Sequence, residues 1–580
     1  MTKLKKIFLS LAVVSLAVAA ICCTLAGTVW AESGSTPPMP DFGVSGSVSR
    51  ADEGSPTVAS VSLPVVFGDG MVLQRNKPIN VFGYCNTEGA TIKVNLGGDI
   101  TTATVEDGRW LATLPAREAE YGTILRVEEL GAIGDSVLIY NDVNIGEVWV
   151  VSGQSNAQLQ SGYLEDVEEL AKLADKYSNI RLYKSAAAFS TAVNKYGNAD
   201  WYEVDGATVR STSLMSAVGY ATVARLSAEL GEDVPIGLMH VARGASKIKA
   251  WLDYESLLKL SPSEASKYMN YVNTGDELPT NAHTQLGCIL YNYQIAPLEG
   301  YSVAGVIWYQ GEGDAGGVGG TLGAEGSTYT EYFAELVSLY RRVFGNDGDL
   351  PFYVMQIAPY ARSSDTAEEL YEFKMEQYAM CQAIDRTYLV SLMNDGGTFC
   401  DGLFSQGYIH PPRKSTVGNR CAEMILANEY GIKAREVYTY PTPVSAVRVD
   451  GTVTVTFDSE LELLYGTEVL GFELYNGSKW VTATGRIEGK QIILSADGVS
   501  KPTKLRYGCG EMQVELGDGT IISVPGIGVS VEEGKITLTA GGKTYVITDP
   551  KDYIRSMDCG NITNASGVPL VVFSMNIVQE

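Results

Sequence analysis

The chain has 580 residues, 45% of them hydrophobic, and its 68 acidic against 43 basic residues give a formal charge of −25. Such a length exceeds what one hydrophobic core can organise and calls for two or three domains. The acidity, with no Lys/Arg cluster after the first few residues, argues against nucleic acid as a partner, and no second apolar run is long enough to enter a membrane.

Residues 1–31 have the layout of a secretory signal peptide. Lys3, Lys5 and Lys6 precede an apolar run from Ile7 to Ala20, and Val29-Trp30-Ala31 ends in a small residue before polar Glu32. A secreted or cell-surface location is therefore expected. Residues 32–57 are rich in Ser, Gly, Pro and Val without helical or strand period and read as a flexible linker. From 58 to 142 the pattern is short and alternating, as in Ala90–Val94, Thr101–Val105 and Trp110–Leu114, punctuated by Gly and Asp. This predicts an N-terminal β domain of antiparallel sandwich type.

The pattern changes at Asp142. Val143–Val151 (VNIGEVWVV) is a strand buried on both faces, followed by helical spacing over Tyr163–Tyr177. The alternation then repeats: helix Ser216–Gly231, strand Pro235–Val241, strand Val303–Tyr309, helix Thr330–Phe344, strand Phe352–Ile357, helix Thr366–Ile384, strand Tyr388–Met393 and helix Ser415–Tyr430. Apolar strands alternating with helices predict a parallel sheet covered on both faces, so residues 143–440 read as one α/β domain. Strand patterns return over 441–580 as a C-terminal β domain.

Ligands of open α/β sheets bind beyond the carboxyl ends of the strands, so the residues there come first. Ser155, in Ser152-Gly153-Gln154-Ser155-Asn156, follows a buried strand and opens a helix. A serine in that turn exposes its hydroxyl beside backbone N–H groups that face a developing anion, although helix starts also use serine as a plain cap. Gly244, in Arg243-Gly244-Ala245-Ser246, and Gln310, in Gln310-Gly311-Glu312-Gly313-Asp314, close two further strands and offer a backbone and a side-chain donor; Glu312 reads as structural. Of three histidines, His240 lies inside an apolar strand and His283 in a polar loop. His410 lies between the last strand and the last helix, at the same sheet edge as Ser155, where a base titrating near neutrality is wanted. A surface-loop histidine is the plainer alternative. No His, Cys or acidic spacing suits a metal, and no cofactor is implied. The seven cysteines after the signal are an odd number at spacings that match no metal pattern.

Gly146–Asn156 (GEVWVVSGQSN), Ile307–Asp314 (IWYQGEGD) and Ile409–Ala422 (IHPPRKSTVGNRCA) together resemble the sialate O-acetylesterase family of SGNH hydrolases, whose segments read roughly GEVWxxSGQSNM, IWYQGESN and IHPxxKxxVGxRLA. Met71–Pro78 (MVLQRNKP) and Leu290–Pro297 (LYNYQIAP) extend the likeness. The resemblance implies an SGNH-type three-layer α/β domain flanked by β-sandwich-like domains. It also implies deacetylation of O-acetylated sialic acid or another acetylated glycan through an acetyl-enzyme. On the matching positions Ser155 is the nucleophile and His410 the general base, with Gly244, Gln310 and the Ser155 N–H as oxyanion hole. An acetylxylan esterase, or a carbohydrate-binding protein on a decayed esterase scaffold, are the alternative expectations.

Departures from the family pattern bear on the substrate. Tyr408 stands where the family often has Asp, leaving Asp395 or Asp401, or a backbone carbonyl, to orient His410. Ala157 replaces Met, Ala242–Ser246 (ARGAS) replaces WGGTS, and Gly313 replaces Ser. Leu505–Gly510 and Gly560–Gly567, normally close in the family, flank an extra β-rich insertion at about 511–558. If those flanks are adjacent strands, Cys509 and Cys559 meet at its neck and a disulfide there is expected.

Overall fold

The computed structural model describes residues 61–579, apart from 132–135, 164–165, 178, 316–326, 346–347, 361–366, 396–408, 412–413, 433–437, 465–466, 510–511, 516–520, 525–527, 533–534, 541–542 and 548–559. The expected leader and linker, Asp401, Tyr408 and Cys559 lie outside the described residues.

The central sheet is built from β1 (Val137–Gly153), β2 (Ile180–Ser185), β3 (Ala199–Glu203), β4 (Ile236–Ala242), β5 (Gly305–Tyr309), β6 (Phe352–Met355) and β7 (Thr387–Val390). Its order is β3-β2-β4-β1-β5-β6-β7, parallel throughout except for the antiparallel edge pair β2–β3. The sheet is therefore mixed. The edge hairpin was not legible in the periodicity, because β3 has only half-buried and exposed positions and no regular alternation.

Two layers of helices cover the sheet, and strand alternation decides what each layer meets. Val148 and Val150 of β1 point to one side, where Phe333, Leu336 and Tyr340 of α3 (Tyr329–Val343) and Phe373 and Met380 of α4 (Ala367–Ala383) pack. Trp149 and Val151 point to the other, against Val218 and Ala221 of α2 (Ala217–Leu230) and Val417, Cys421 and Ile425 of α5 (Lys414–Glu429). Ser216 caps α2, its hydroxyl accepting the Gly219 N–H at 3.1 Å, and Thr328 with Glu331 forms a capping box on α3. At the α2–α5 crossing a Cβ on Gly418 would stand 2.6 Å from the Ala221 Cβ and 2.8 Å from the Val218 carbonyl oxygen, so glycine alone permits the approach. That crossing seats the start of α5, four residues after His410.

The change of pattern at Asp142 is a change of neighbours within one strand. The outer part of β1 pairs antiparallel with Glu120–Glu129, and residues 144–146 run parallel to Val72–Gln74. Asp142 itself takes a positive φ of 50°, and from Val143 the strand is buried at every position. The boundary expected between 142 and 143 thus falls inside a continuous strand. Upstream, Thr91–Leu96 and Asp99–Thr104 form a hairpin closed by Gly97 and Gly98, both at positive φ as a tight two-residue turn demands.

The C-terminal strands form a five-stranded and a four-stranded sheet around Val455, Phe472, Leu474, Tyr507 and Phe573. Arg506 joins them to the α/β layer. Its guanidinium donates to Glu368 of α4 at 2.7 Å and to Glu473 at 2.7 Å, and lies 4.4 Å from the Trp480 ring centre. The flanks of the insertion do meet, since Gly560 sits against Tyr507. Cys509, however, is a free thiol whose Sγ donates to Glu368 at 3.3 Å.

Candidate active site

The nucleophile turn depends on one glycine. Gly153, the last residue of β1, has φ of 129°, and a Cβ there would fall 2.2 Å from the Tyr309 carbonyl oxygen of β5. The strands can converge only because that atom is missing. The chain then turns into the short helix α1 (Ser155–Gln158) with Ser155 first. The Ala157 and Gln158 N–H groups bond to Gln154 O, and the N–H groups of Ser155 and Asn156, first in the helix, fall outside the helical ladder. Gln154 braces the turn from below, its side-chain oxygen accepting from Gly313 N at 2.9 Å and Gly311 N at 3.3 Å.

Ser155 Oγ lies 2.9 Å from His410 Nε2, across 255 residues of sequence. That is the separation at which a hydroxyl donates to an imidazole nitrogen. Burial, and then the Lys414 ammonium, push the His410 imidazole down from 6.5 to about 3, so it stands neutral and able to accept a proton at physiological pH. Neither of the other described histidines bonds to Ser155. His240 is fully buried in β4, with Nδ1 3.0 Å from Leu214 O and 3.1 Å from Lys184 Nζ. His283 packs its ring 5.7 Å from that of Phe189, and burial with the nearby Arg243 charge pushes it down to about 4.

The expected partners of the pair are differently employed. The Gly244 N–H donates to Gln158 Oε1 at 2.5 Å. The Gln310 amide nitrogen donates to Asp314 at 2.6 Å, Ser246 O at 3.1 Å and Gln154 at 3.2 Å, while its oxygen accepts from Tyr329 at 2.7 Å. Both groups sit at the strand ends beside Ser155, but the structure commits them to protein partners. Asp395 is brought to Arg420 of α5, which donates to it at 2.5 Å and to Ser391 O at 2.6 Å, rather than to His410. The mostly buried Arg420 guanidinium, nearly two turns into α5, holds that carboxylate with a charge-assisted bond.

Three residues that sequence reasoning left without a catalytic role surround the pair: Asn156, Glu312 and Lys414. Each stands in one of the motif segments, but only the tertiary fold shows that they touch. The Asn156 amide donates to Glu312 Oε1 at 2.5 Å and to Ile409 O at 3.0 Å, and accepts from Lys414 Nζ. Lys414 also lies over the Tyr309 ring, 4.9 Å from its centre.

A hydroxyl backed by a neutral imidazole at the carboxyl ends of a parallel sheet, between two helical layers, is the arrangement of the SGNH-type ester hydrolases. Comparison with known proteins agrees. Residues 145–395 match the family model for carbohydrate esterase, sialic acid-specific acetylesterase. The sialate O-acetylesterase of Mus musculus is 25% identical over 439 residues, covering 68% of this chain and 78% of its own; that of Homo sapiens is 26% identical over 427 residues, covering 68% and 76%. A carbohydrate acetylesterase from Xanthomonas citri has a crystal structure that superposes with a TM-score of 0.67 at 26% identity, over 89% of this chain and 99% of that one. The chain is a carboxylic ester hydrolase by class. Its α/β domain carries the match to the sialic acid-specific acetylesterase family of carbohydrate esterases, over residues 145–395.

Proposed function

We propose that the protein is an exported O-acetylesterase that removes acetyl groups from sugars, with Ser155 as nucleophile and His410 as general base. The observation that carries this is the 2.9 Å contact between the two side chains. His410 takes the Ser155 proton as Oγ attacks the acetyl carbonyl, then returns it to the departing sugar oxygen, leaving an acetyl-serine. A water deprotonated by His410 attacks that ester, acetate leaves, and the proton passes back to Ser155. The Ser155 N–H is the oxyanion donor already free to act. Gly244 joins it once Gln158 yields, and Gln310 braces the turn after β5. Either Asp401 or a backbone carbonyl orients the imidazole.

An acidic sugar such as O-acetylated sialic acid is favoured over neutral acetylated xylan by Arg243. This residue stands at the end of β4 where the family motif has Gly, and its main chain donates to Gly153 O, two residues before the nucleophile. Its guanidinium donates to Ala187 O at 2.5 Å and lies 5.7 Å from the Phe189 ring centre, with no carboxylate partner among the described residues. The N- and C-terminal strand regions are read as β-sandwich-like flanks of the esterase domain, and residues 1–31 as the export signal.

The test is acetate release from a simple acetyl ester, then from acetylated sialosides and xylans, by the protein and its Ser155→Ala variant. Turnover that disappears with Ser155 and favours the sialoside is expected. Equal turnover by Ser155→Ala overturns the assignment.

A further inference from the structure

We propose that Asn156, the residue after the nucleophile, is a positioning residue that holds His410 in register with Ser155; this rests on the reading of Ser155 and His410 as the catalytic pair. The difficulty it answers is one of distance along the chain. His410 reaches the nucleophile from a segment 255 residues away, and a base must be held within a few tenths of an ångström of its hydroxyl to work.

The Asn156 side chain is fully buried and all its bonds are made to the segments that carry the site. One amide proton goes to Ile409 O, the carbonyl immediately before His410, at 3.0 Å. The other goes to Glu312 Oε1, on the loop after β5, at 2.5 Å. Its oxygen accepts from Lys414 Nζ, four residues after His410, and Lys414 is itself fully buried against Tyr309. The three partners also fix which way the amide faces, with two acceptors on the nitrogen side and a cation on the oxygen side. A single side chain therefore grips the His410 segment both before and after the imidazole, and it does so from the residue bonded to Ser155. Nucleophile and base must move together. No other side chain type fits the same role: Asp offers no donor and meets Glu312 as a like charge, Leu offers neither donor nor acceptor, and Gln is one methylene too long.

The experiment measures kcat and KM on a simple acetyl ester, the rate of Ser155 labelling by a fluorophosphonate, and the melting temperature. It is run on the full chain and on Asn156→Ala, Lys414→Met and His410→Ala, each with and without added imidazole. Asn156→Ala is expected to lose about 10- to 100-fold in kcat and in labelling rate with KM within about twofold, since displacing a base by an ångström costs that much. Added imidazole is expected to restore part of the loss in Asn156→Ala and His410→Ala and nothing in the unaltered chain, which a purely structural role of Asn156 would not produce. If Asn156→Ala does not fold, Lys414→Met, which removes one arm and leaves the amide, is expected to show the same kcat loss and imidazole response at smaller size. A folded Asn156→Ala or Lys414→Met with kcat within about twofold of the unaltered chain, or a loss confined to KM or matched by the unfolded fraction, overturns the clamp alone. An unaltered chain whose Ser155 takes no label overturns the catalytic pair and the clamp with it.

Discussion

Lowering the pH tests the environment of His410 directly. An isolated imidazole titrates near 6.5; here burial, and then the Lys414 charge, bring it down to about 3. Only neutral His410 can take the Ser155 proton, so kcat/KM follows the neutral fraction of the free enzyme. At pH 5 an imidazole titrating at 6.5 would be about 3% neutral and one titrating near 3 about 99% neutral, a difference of about 30-fold in kcat/KM. The assay is acetate release from a simple acetyl ester between pH 4 and 8, with circular dichroism at each pH to confirm folding. A plateau that holds down to about pH 5 is expected. The same shift acts on stability with a definite sign. The folded-state value lies below the unfolded one, so the unfolded chain binds the proton first and stability falls as pH drops from 6.5 towards 3. An acid limb centred near 6.5 in a fully folded protein would refute the reasoning, because burial and Lys414 would then not set the titration of the imidazole.

Three substitutions probe the scaffold around the pair. Gly418→Ala places a methyl 2.6 Å from the Ala221 Cβ at the α2–α5 crossing and is expected to cost about 1–3 kcal/mol of stability as an overpacked contact; urea unfolding unchanged from the parent would contradict the packing described. Asp395→Asn removes the charge partner of the mostly buried Arg420 and should lower the melting temperature while the folded fraction still turns over acetyl ester; an intact melting temperature with a collapsed kcat would instead return Asp395 to the role of orienting acid. Gln310→Ala removes its bonds to Asp314, Gln154 and Tyr329 while each of them keeps another partner, and is expected to destabilise by about 0.5–1.5 kcal/mol for each hydrogen bond lost. A loss of about 100- to 1000-fold in turnover with no thermal change would mean that its amide serves the oxyanion directly.

Much of the α/β domain was legible in the chain because buried strands and amphipathic helices leave different periods. The helix expected over Ser216–Gly231 is Ala217–Leu230, and that expected over Thr330–Phe344 is Tyr329–Val343, each closed at its start by a capping side chain. The helix expected over Tyr163–Tyr177 starts later, at Val167. Helices Tyr254–Leu260 and Pro262–Thr274 went unpredicted, as did the edge hairpin. Pro262–Thr274 buries only three residues against the body, too few to leave a clear apolar stripe.

Sequence by itself determined the chemistry available at the strand ends: a serine in a glycine-braced turn, and one histidine of three placed at the same edge. Those are properties of residue type and of order along the chain, which the strand–helix alternation converts into position. The employment of each group was decided only in three dimensions. Asp395 is as close in sequence to His410 as any described acid needs to be, yet Arg420 holds it; the Gly244 N–H faces Gln158; Gln310 is tied into a buried network. Hydrogen-bond partners are chosen by which donors and acceptors the packed helices bring within about 3 Å, and the Asn156 amide meets Ile409 and Lys414 beside a helix, α5, that Gly418 lets settle against α2.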